Sequence, residues 1–384
     1  NDALVVDETG ETAAISLTLD RETIGATTYG RLVGLANSNV LFETTEAVDV
    51  NLGNQGNTVQ IKSTQASAVT TLRSGTGADA ITLGSTLNDA TSTVNDLSGA
   101  LVLDGQGGSD VLRANDSGDA NVNSGTSTAT TLTGLGTAGV TYTQFETVNL
   151  DLGSGGDSFT IASTHANATN LRSQAGADSI TVQGTSGLTT IDSGIGTDTV
   201  QIGDASHALS GMVGQIDVTG GSDTTDILSV VDTFDTVGRT GTLSANRLSG
   251  LGMTLGINYA GIENFNLTLG QGADTLFVDG TSTAVNTIDA YWGSDTVNIN
   301  SISGTTTVHG DQVNSAVGGG DPGRGLGGDD TIRVNYREDG KQTFNNGIAA
   351  LLTISGGEGS DQYEIGLSGK LSGSTLTPLV SRIN

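Results

Sequence analysis

The chain is 384 residues long, with 58 glycines, two prolines and no cysteine, and its 14 Lys and Arg against 42 Asp and Glu leave a formal charge of −28. That balance argues against a nucleic-acid binder, which needs clustered cations for phosphate, and disfavours an anionic membrane surface for the same reason. Only 35% of residues are hydrophobic and 4% aromatic, lean material for several ordinary cores, and with almost no proline and no three-residue glycine period collagen is excluded.

In chain order, residues 1–34 read as the end of a preceding repeat. The chain starts at Asn1 without a basic segment followed by an apolar one, and no run approaches the roughly 18 apolar residues of a spanning helix. It therefore reads as a piece of a longer protein, without membrane insertion. Three large repeats follow, 35–134, 135–250 and 251–384. Their heads are Arg31-Leu-Val-Gly-Leu35, Thr131-Leu-Thr-Gly-Leu135 and Arg247-Leu-Ser-Gly-Leu251. Downstream of each comes Glu46-Ala-Val-Asp-Val-Asn-Leu-Gly53, Glu146-Thr-Val-Asn-Leu-Asp-Leu-Gly153 or Glu263-Asn-Phe-Asn-Leu-Thr-Leu-Gly270.

A smaller unit recurs inside each large repeat: apolar-x-apolar, then Gly-x-Gly-x-Asp, then x-apolar-x-apolar. Its anchors are Asn57, Asp79 and Asp110, then Asp157, Asp178, Asp198 and Asp226, then Asp274, Asp295, Asp330 and Asp361. Uninterrupted neighbours lie 20 to 22 residues apart, as from 57 to 79, 157 to 178 and 178 to 198. The residues two and four after an anchor are apolar, for example Val59 and Ile61, Phe159 and Ile161, Val297 and Ile299, Tyr363 and Ile365. Alternate strand residues face the same way, so these positions should stack into apolar columns. The expected fold is all-β, an elongated parallel β-helix or β-solenoid with coils of about 21 residues, continuous through all the repeats and with its glycine turns on one edge. The Gly-rich insert 315–328 reads as a loop bulging from one coil. An array of three β-sandwiches is the competing fold, but it has no reason to preserve the spacing within each large repeat.

The turn pattern resembles the hemolysin-type calcium-binding repeat of RTX proteins, Gly-Gly-x-Gly-x-Asp-x-apolar-x. Gly356-Gly-Glu-Gly-Ser-Asp361-Gln-Tyr363 fits best, and Gly75-Thr-Gly-Ala-Asp79, Gly153-Ser-Gly-Gly-Asp157, Gly194-Ile-Gly-Thr-Asp198 and Gly270-Gln-Gly-Ala-Asp274 fit in part. The resemblance implies Ca2+ held by aspartate carboxylates and backbone carbonyls, with Asp79, Asp110, Asp157, Asp178, Asp198, Asp274, Asp295, Asp330 and Asp361 as the candidate ligands. It also implies an extracellular or cell-surface bacterial protein. The motif occurs once in about 21 residues rather than twice per coil as in RTX rolls, and Gln174-Ala-Gly-Ala-Asp178 and Tyr291-Trp-Gly-Ser-Asp295 have lost the first glycine.

Electrostatics bears on the same residues. Like charges about 5 Å apart repel by roughly 3 kcal/mol at an effective dielectric near 20, so stacked aspartates either stay wet or recruit cations. The alternative is that each Asp closes its own turn through an Asx-type bond. Catalytic signals are weak. Gly134-Leu-Gly-Thr-Ala-Gly139 matches a dinucleotide fingerprint, but no helix pattern follows it. His165, His207 and His309 share no register, and with only Lys62, Lys341 and Lys370 as lysines the chain lacks the clustered cations of polyuronate chemistry. The expectation is a structural or adhesive module of a giant surface or filament-forming protein, not an enzyme, rigidified by calcium and with neighbouring copies or glycans as partners. The alternatives are a polysaccharide-modifying β-helix enzyme and a polysaccharide-binding adhesin that uses Tyr291 and Trp292.

Overall fold

The computed structural model describes residues 2–35, 39–221, 225–311, 328–335, 347–357 and 359–366. Every regular element among them is a β-strand, as expected where β-branched residues alternate between glycine and aspartate turns. Most of the 315–328 insert, Lys341 and Lys370 lie outside the described residues. The chain divides into two compact units, 1–180 with 185–198, and 181–184 with 199–384.

In the first unit the chain passes back and forth between two long parallel ladders. One contains Ala3–Asp7, Ala47–Asn51, Val69–Arg73, Leu101–Asp104 and Thr137–Thr143, each paired in parallel with the next. The other contains Ser16–Ile24, Thr58–Ile61, Ala80–Leu83, Val111–Asn115, Thr147–Asp151, Ala168–Arg172 and Thr189–Asp192. This is a solenoid-like arrangement of stacked passes. The second unit has the same plan. Thr199–Ile202, Ile227–Val231, Asn264–Thr268, Val285–Asp289, Thr306–His309 and Leu352–Ser355 form one ladder. Thr240–Ser244, Thr275–Val278, Thr296–Ile299, Thr331–Val334 and Gln362–Ile365 form the other.

Parallel register turns the period-two pattern into columns. Ile61, Leu83, Ala114, Leu150, Leu171 and Ile191 are successive partners, and each is at most 2% exposed. In the second unit Val278, Ile299 and Val334 are likewise successive partners and buried. Each fully buried aliphatic side chain contributes about 1.5–3 kcal/mol relative to exposure, so the columns organise a core with few aromatic rings. Tyr363 and Ile365, the last pair expected to face inward, are only partly buried.

The pairing is not parallel throughout. Each large-repeat head forms the middle strand of an antiparallel excursion. Ser124–Ser127, Thr131–Gly134 and Thr137–Thr143 fold back on one another within one ladder, and Thr240–Ser244, Arg247–Gly250 and Ile257–Ala260 repeat the fold in the second unit. Leu135 and Leu251 follow the middle strand at φ 52 and are buried over Gly125 and Gly241, where a Cβ would reach Leu135 Cδ2 at 3.1 Å and Leu251 Cγ at 2.6 Å. The dinucleotide-like segment 134–139 is thus a tight turn of this excursion, with no helix behind it.

Successive excursions alternate in the first unit. Ser16–Ile24 with Thr27–Val33 and Val40–Phe42 extends one ladder, and the excursion at 124–143 extends the other. The repeated segments alternate likewise, since Ala47–Asn51 and Thr147–Asp151 lie in different ladders. Six passes lie between them, counting the excursion at 124–143 as one, and an even number between alternating passes puts the two in opposite ladders. Because an excursion adds strands about 4.8 Å apart to one ladder only, alternation keeps the two ladders in step.

Candidate functional site

The anchors sit at the turns that lead into a strand. Four residues earlier the backbone is left-handed, at Gly75, Gln106, Gln174, Gly194, Tyr291 and Gly357 (φ 63 to 97). With or without that left-handed residue, which Gly153 and Gly270 lack, the anchor side chain lies under the coil rather than out in water. Asp79, Asp110, Asp157, Asp178, Asp198, Asp274, Asp295 and Asp330 are all at most 2% exposed, and only Asp361 is partly exposed.

The carboxylates form hydrogen-bonded columns. The Ile15 N–H donates to Asn57 Oδ1 (2.9 Å), the Asn57 N–H to Asp79 Oδ1 (2.6 Å), the Asp79 N–H to Asp110 Oδ1 (2.8 Å) and the Asp110 N–H to Glu146 Oε2 (2.7 Å). A second column in the same unit leads into the other ladder. There the Asn123 N–H donates to Asp157 (2.8 Å), Asp157 to Asp178 (2.7 Å) and Asp178 to Asp198 (2.8 Å). In the second unit the Arg239 N–H begins a column through Asp274 (2.6 Å), Asp295 (2.6 Å), Asp330 (2.8 Å) and Asp361 (3.2 Å). The Asp226 N–H donates separately to Glu263 Oε2 (3.0 Å).

The anchors of the first unit therefore occupy two edges rather than one, as the change of ladder between repeats requires. Each carboxylate ties its turn to the amide of the turn before it, which is neither a wet column nor only an Asx closure. Closure of the anchor's own turn does occur at the column heads, where the Gly153 and Gly270 N–H groups reach Asp157 Oδ2 (3.2 Å) and Asp274 Oδ2 (3.0 Å).

The second carboxylate oxygen is the chemically open part. Oδ2 of Asp110, Asp295 and Asp330 is buried with no hydrogen-bond partner. Asn57 shows how such a slot is filled when the side chain carries a donor, because its Nδ2 donates to Gly53 O (2.9 Å) and Ser74 O (2.7 Å). At Asn57 two carbonyl oxygens thus face the amide nitrogen, the atom that corresponds to Oδ2 of an aspartate. An ionised carboxylate at Asp110, Asp295 or Asp330 is poorly served, since its second oxygen is buried without a donor. Burial pushes Asp110, Asp178 and Asp330 up to about 6 and Asp295 up to about 8, against the opposing amide donors. Burial also raises Asp79, Asp157 and Asp274, with the Ser74 hydroxyl among the groups that restrain Asp79.

Sequence reasoning missed two sets of participants. Glu46, Glu146 and Glu263 end columns, receiving the amides of Asp2, Asp110 and Asp226. Their signal was present, because each is followed at two and four residues by apolar side chains, as the aspartate anchors are. Asp116 and Asp232 carried no comparable motif. Both are fully buried, and their Oδ1 atoms accept the N–H of Val94 (3.0 Å) and Leu209 (2.9 Å). Burial pushes both up to about 7, helped by Asp119 and Asp157 in the first case and by Asp235 and Asp274 in the second. In the second cluster Arg239 Nε donates to Asp235 Oδ2 (2.7 Å), and in the first the Asn123 amide donates to Asp119 Oδ2 (3.1 Å).

Among the described residues no three His, Cys, Asp or Glu side chains converge as a metal-holding group. Carboxylates follow one another along a column, so carbonyls or water would complete the coordination of any cation there. The donor set is compatible with a hard cation, being all oxygen with unpartnered buried Oδ2 atoms. No family model matches the chain, and no curated protein matches it.

Proposed function

We propose that the chain is a structural and adhesive module of a large extracellular bacterial surface or filament-forming protein, a β-solenoid with coils of about 21 residues where no excursion intervenes. Its aspartate columns are the sites at which calcium rigidifies it. The observation that carries this reading is the set of buried Oδ2 atoms without partners at Asp110, Asp295 and Asp330. Such an oxygen is stable with a proton or beside a cation, and at the pH of most extracellular fluids the proton is partly lost. Calcium, when bound, supplies the positive charge that carbonyls and carboxylates require there. Asp79, Asp110, Asp157, Asp178, Asp198, Asp274, Asp295, Asp330 and Asp361 would present the carboxylate oxygens.

A structural rather than enzymatic role is supported by how the titratable groups are used. Their carboxylates hold backbone amides of neighbouring passes, and arginines are engaged with them. Asp151, fully buried, lies between Arg113 Nε (2.6 Å) and Arg172 Nε (2.5 Å). The strong negative charge would keep such modules apart until divalent ions bridge neighbouring copies.

Thermal melting at pH 8 with excess calcium and then with chelator, together with titration calorimetry, tests the reading. A rise in melting temperature with calcium and saturable heat are expected. An unchanged melting temperature with no binding heat would overturn it.

A further inference from the structure

The left-handed position four residues before an anchor is held by Gly75, Gly194 and Gly357 and by Gln106 and Gln174, but at one place by an aromatic residue, Tyr291 (φ 73). A side chain with a bulky Cβ substituent is strained there, whereas glycine is not. The core does not ask for an aromatic at this point, since the inward positions of that pass are Val297 and Ile299. Strain retained at an outward turn calls for a role beyond packing.

Tyr291 stacks on Trp292 with ring centroids 4.9 Å apart and planes 11° from parallel, and both side chains are partly exposed. The backbone beneath them is pinned. The Tyr291 N–H donates to Asp289 Oδ1 (3.0 Å) and the Trp292 N–H to Gly270 O (3.4 Å). A pre-held aromatic surface loses little freedom on binding.

The polar groups around the pair define what it would accept. The described turn segments nearest the pair, 270–274, 289–295 and 328–330, contain Gln271, Asp289, Ser294 and Asp329 but no Lys or Arg, and Arg239, at the next turn of the column, has its Nε on Asp235 Oδ2 (2.7 Å). Amide, hydroxyl and carboxylate groups can exchange hydrogen bonds with sugar hydroxyls, while the carboxylates repel an anionic chain. An aromatic ring face suits the C–H face of a pyranose.

We propose that Tyr291 and Trp292 form a stacking platform for a neutral, unsubstituted polysaccharide on this turn edge. The proposal does not rest on the calcium reading and is tested in the presence of chelator. Trp292 is the sole tryptophan of the chain, so tryptophan emission, excited where tyrosine does not absorb, reports on this site alone. The full chain is titrated with cellohexaose, laminarin and mannan, with polygalacturonate as the anionic probe. A saturable emission change with at least one neutral glycan, and none with polygalacturonate, is expected.

Tyr291→Gly separates a binding role from a packing one. It relieves the left-handed strain, so binding should weaken at least about tenfold while the melting temperature stays level or rises. Trp292→Ala, followed by affinity electrophoresis in gels containing the same glycans, should lose retardation. No saturable response to any of the neutral glycans up to about 10 mM, a range that covers even weak lectin-like affinities, would overturn the proposal. So would Tyr291→Gly binding as tightly as the natural chain, or melting markedly lower.

Discussion

Replacing Asp295 by Asn removes one buried charge while keeping the oxygen that holds its neighbour. Asp295 is 1% exposed, and its Oδ1 accepts the Asp274 N–H at 2.6 Å. Burial, with Asp274, Asp330 and Asp311 adding to it, pushes its pKa from 3.8 up to about 8. A carboxyl whose folded pKa lies above its unfolded value favours the folded state most at low pH. That advantage declines as pH rises from about 4 to about 8 and is gone above the folded pKa. The difference between 3.8 and about 8 corresponds to on the order of 5 kcal/mol for this one group. Asn57 shows that the anchor slot accepts an amide, with Nδ2 donating to two carbonyls. In chelator, Asp295→Asn should therefore be more stable than the natural chain at pH 8.5, by several kcal/mol at most, and nearly equal to it at pH 4. Urea denaturation followed by circular dichroism at pH 4, 6 and 8.5 measures the difference through the shift in midpoint. Added calcium at pH 8.5 should narrow the gap by stabilising the natural chain. The reasoning is refuted if Asp295→Asn is destabilising by the same amount at every pH, or if the natural chain gains stability between pH 4 and pH 8.5.

The remaining predictions concern the framework of the columns. Glu146→Ala strips the acceptor from the buried Asp110 N–H and should lower stability by about 1–3 kcal/mol, with faster hydrogen exchange at Asp110; Glu146→Gln should recover most of the loss. Gly241→Ala places a Cβ 2.6 Å from Leu251 Cγ inside the antiparallel excursion, and a loss of about 1–3 kcal/mol is expected in chemical denaturation. Asp151→Ala leaves Arg113 and Arg172 facing each other without their shared carboxylate. The usual loss on breaking a buried ion pair is about 3–5 kcal/mol, and the lower end is expected because the Arg172 side chain is 49% exposed; a midpoint unchanged in urea would contradict this.

Several features were legible in the residues alone because they depend on local periodicity. Apolar side chains two and four after Asp79, Asp157, Asp178 or Asp295 could only face one way along a strand, and they are buried as that alternation requires. Composition also set the character of the core: with so few aromatic rings, it had to be assembled from aliphatic side chains in register, Leu, Val and Ile. The turn glycines and the recurrence of the anchors belong to the same local level.

The tertiary structure decided everything that depends on counting passes and on distance from water. The segments beginning at Glu46 and Glu146 are nearly the same in sequence, yet they enter different ladders because six passes, an even number, lie between them. Whether an aspartate at a turn meets solvent or a neighbouring amide cannot be read from its own neighbours in the chain, since the donor lies 20 to 35 residues away, as for Asp178 with Asp198 and Asp295 with Asp330. The same separation hid the column-ending role of Glu146 and the burial of Asp116 and Asp232. Local sequence determined the strand and its inward face; only stacking determined which carboxylates share a column, and how far from water each must hold its charge.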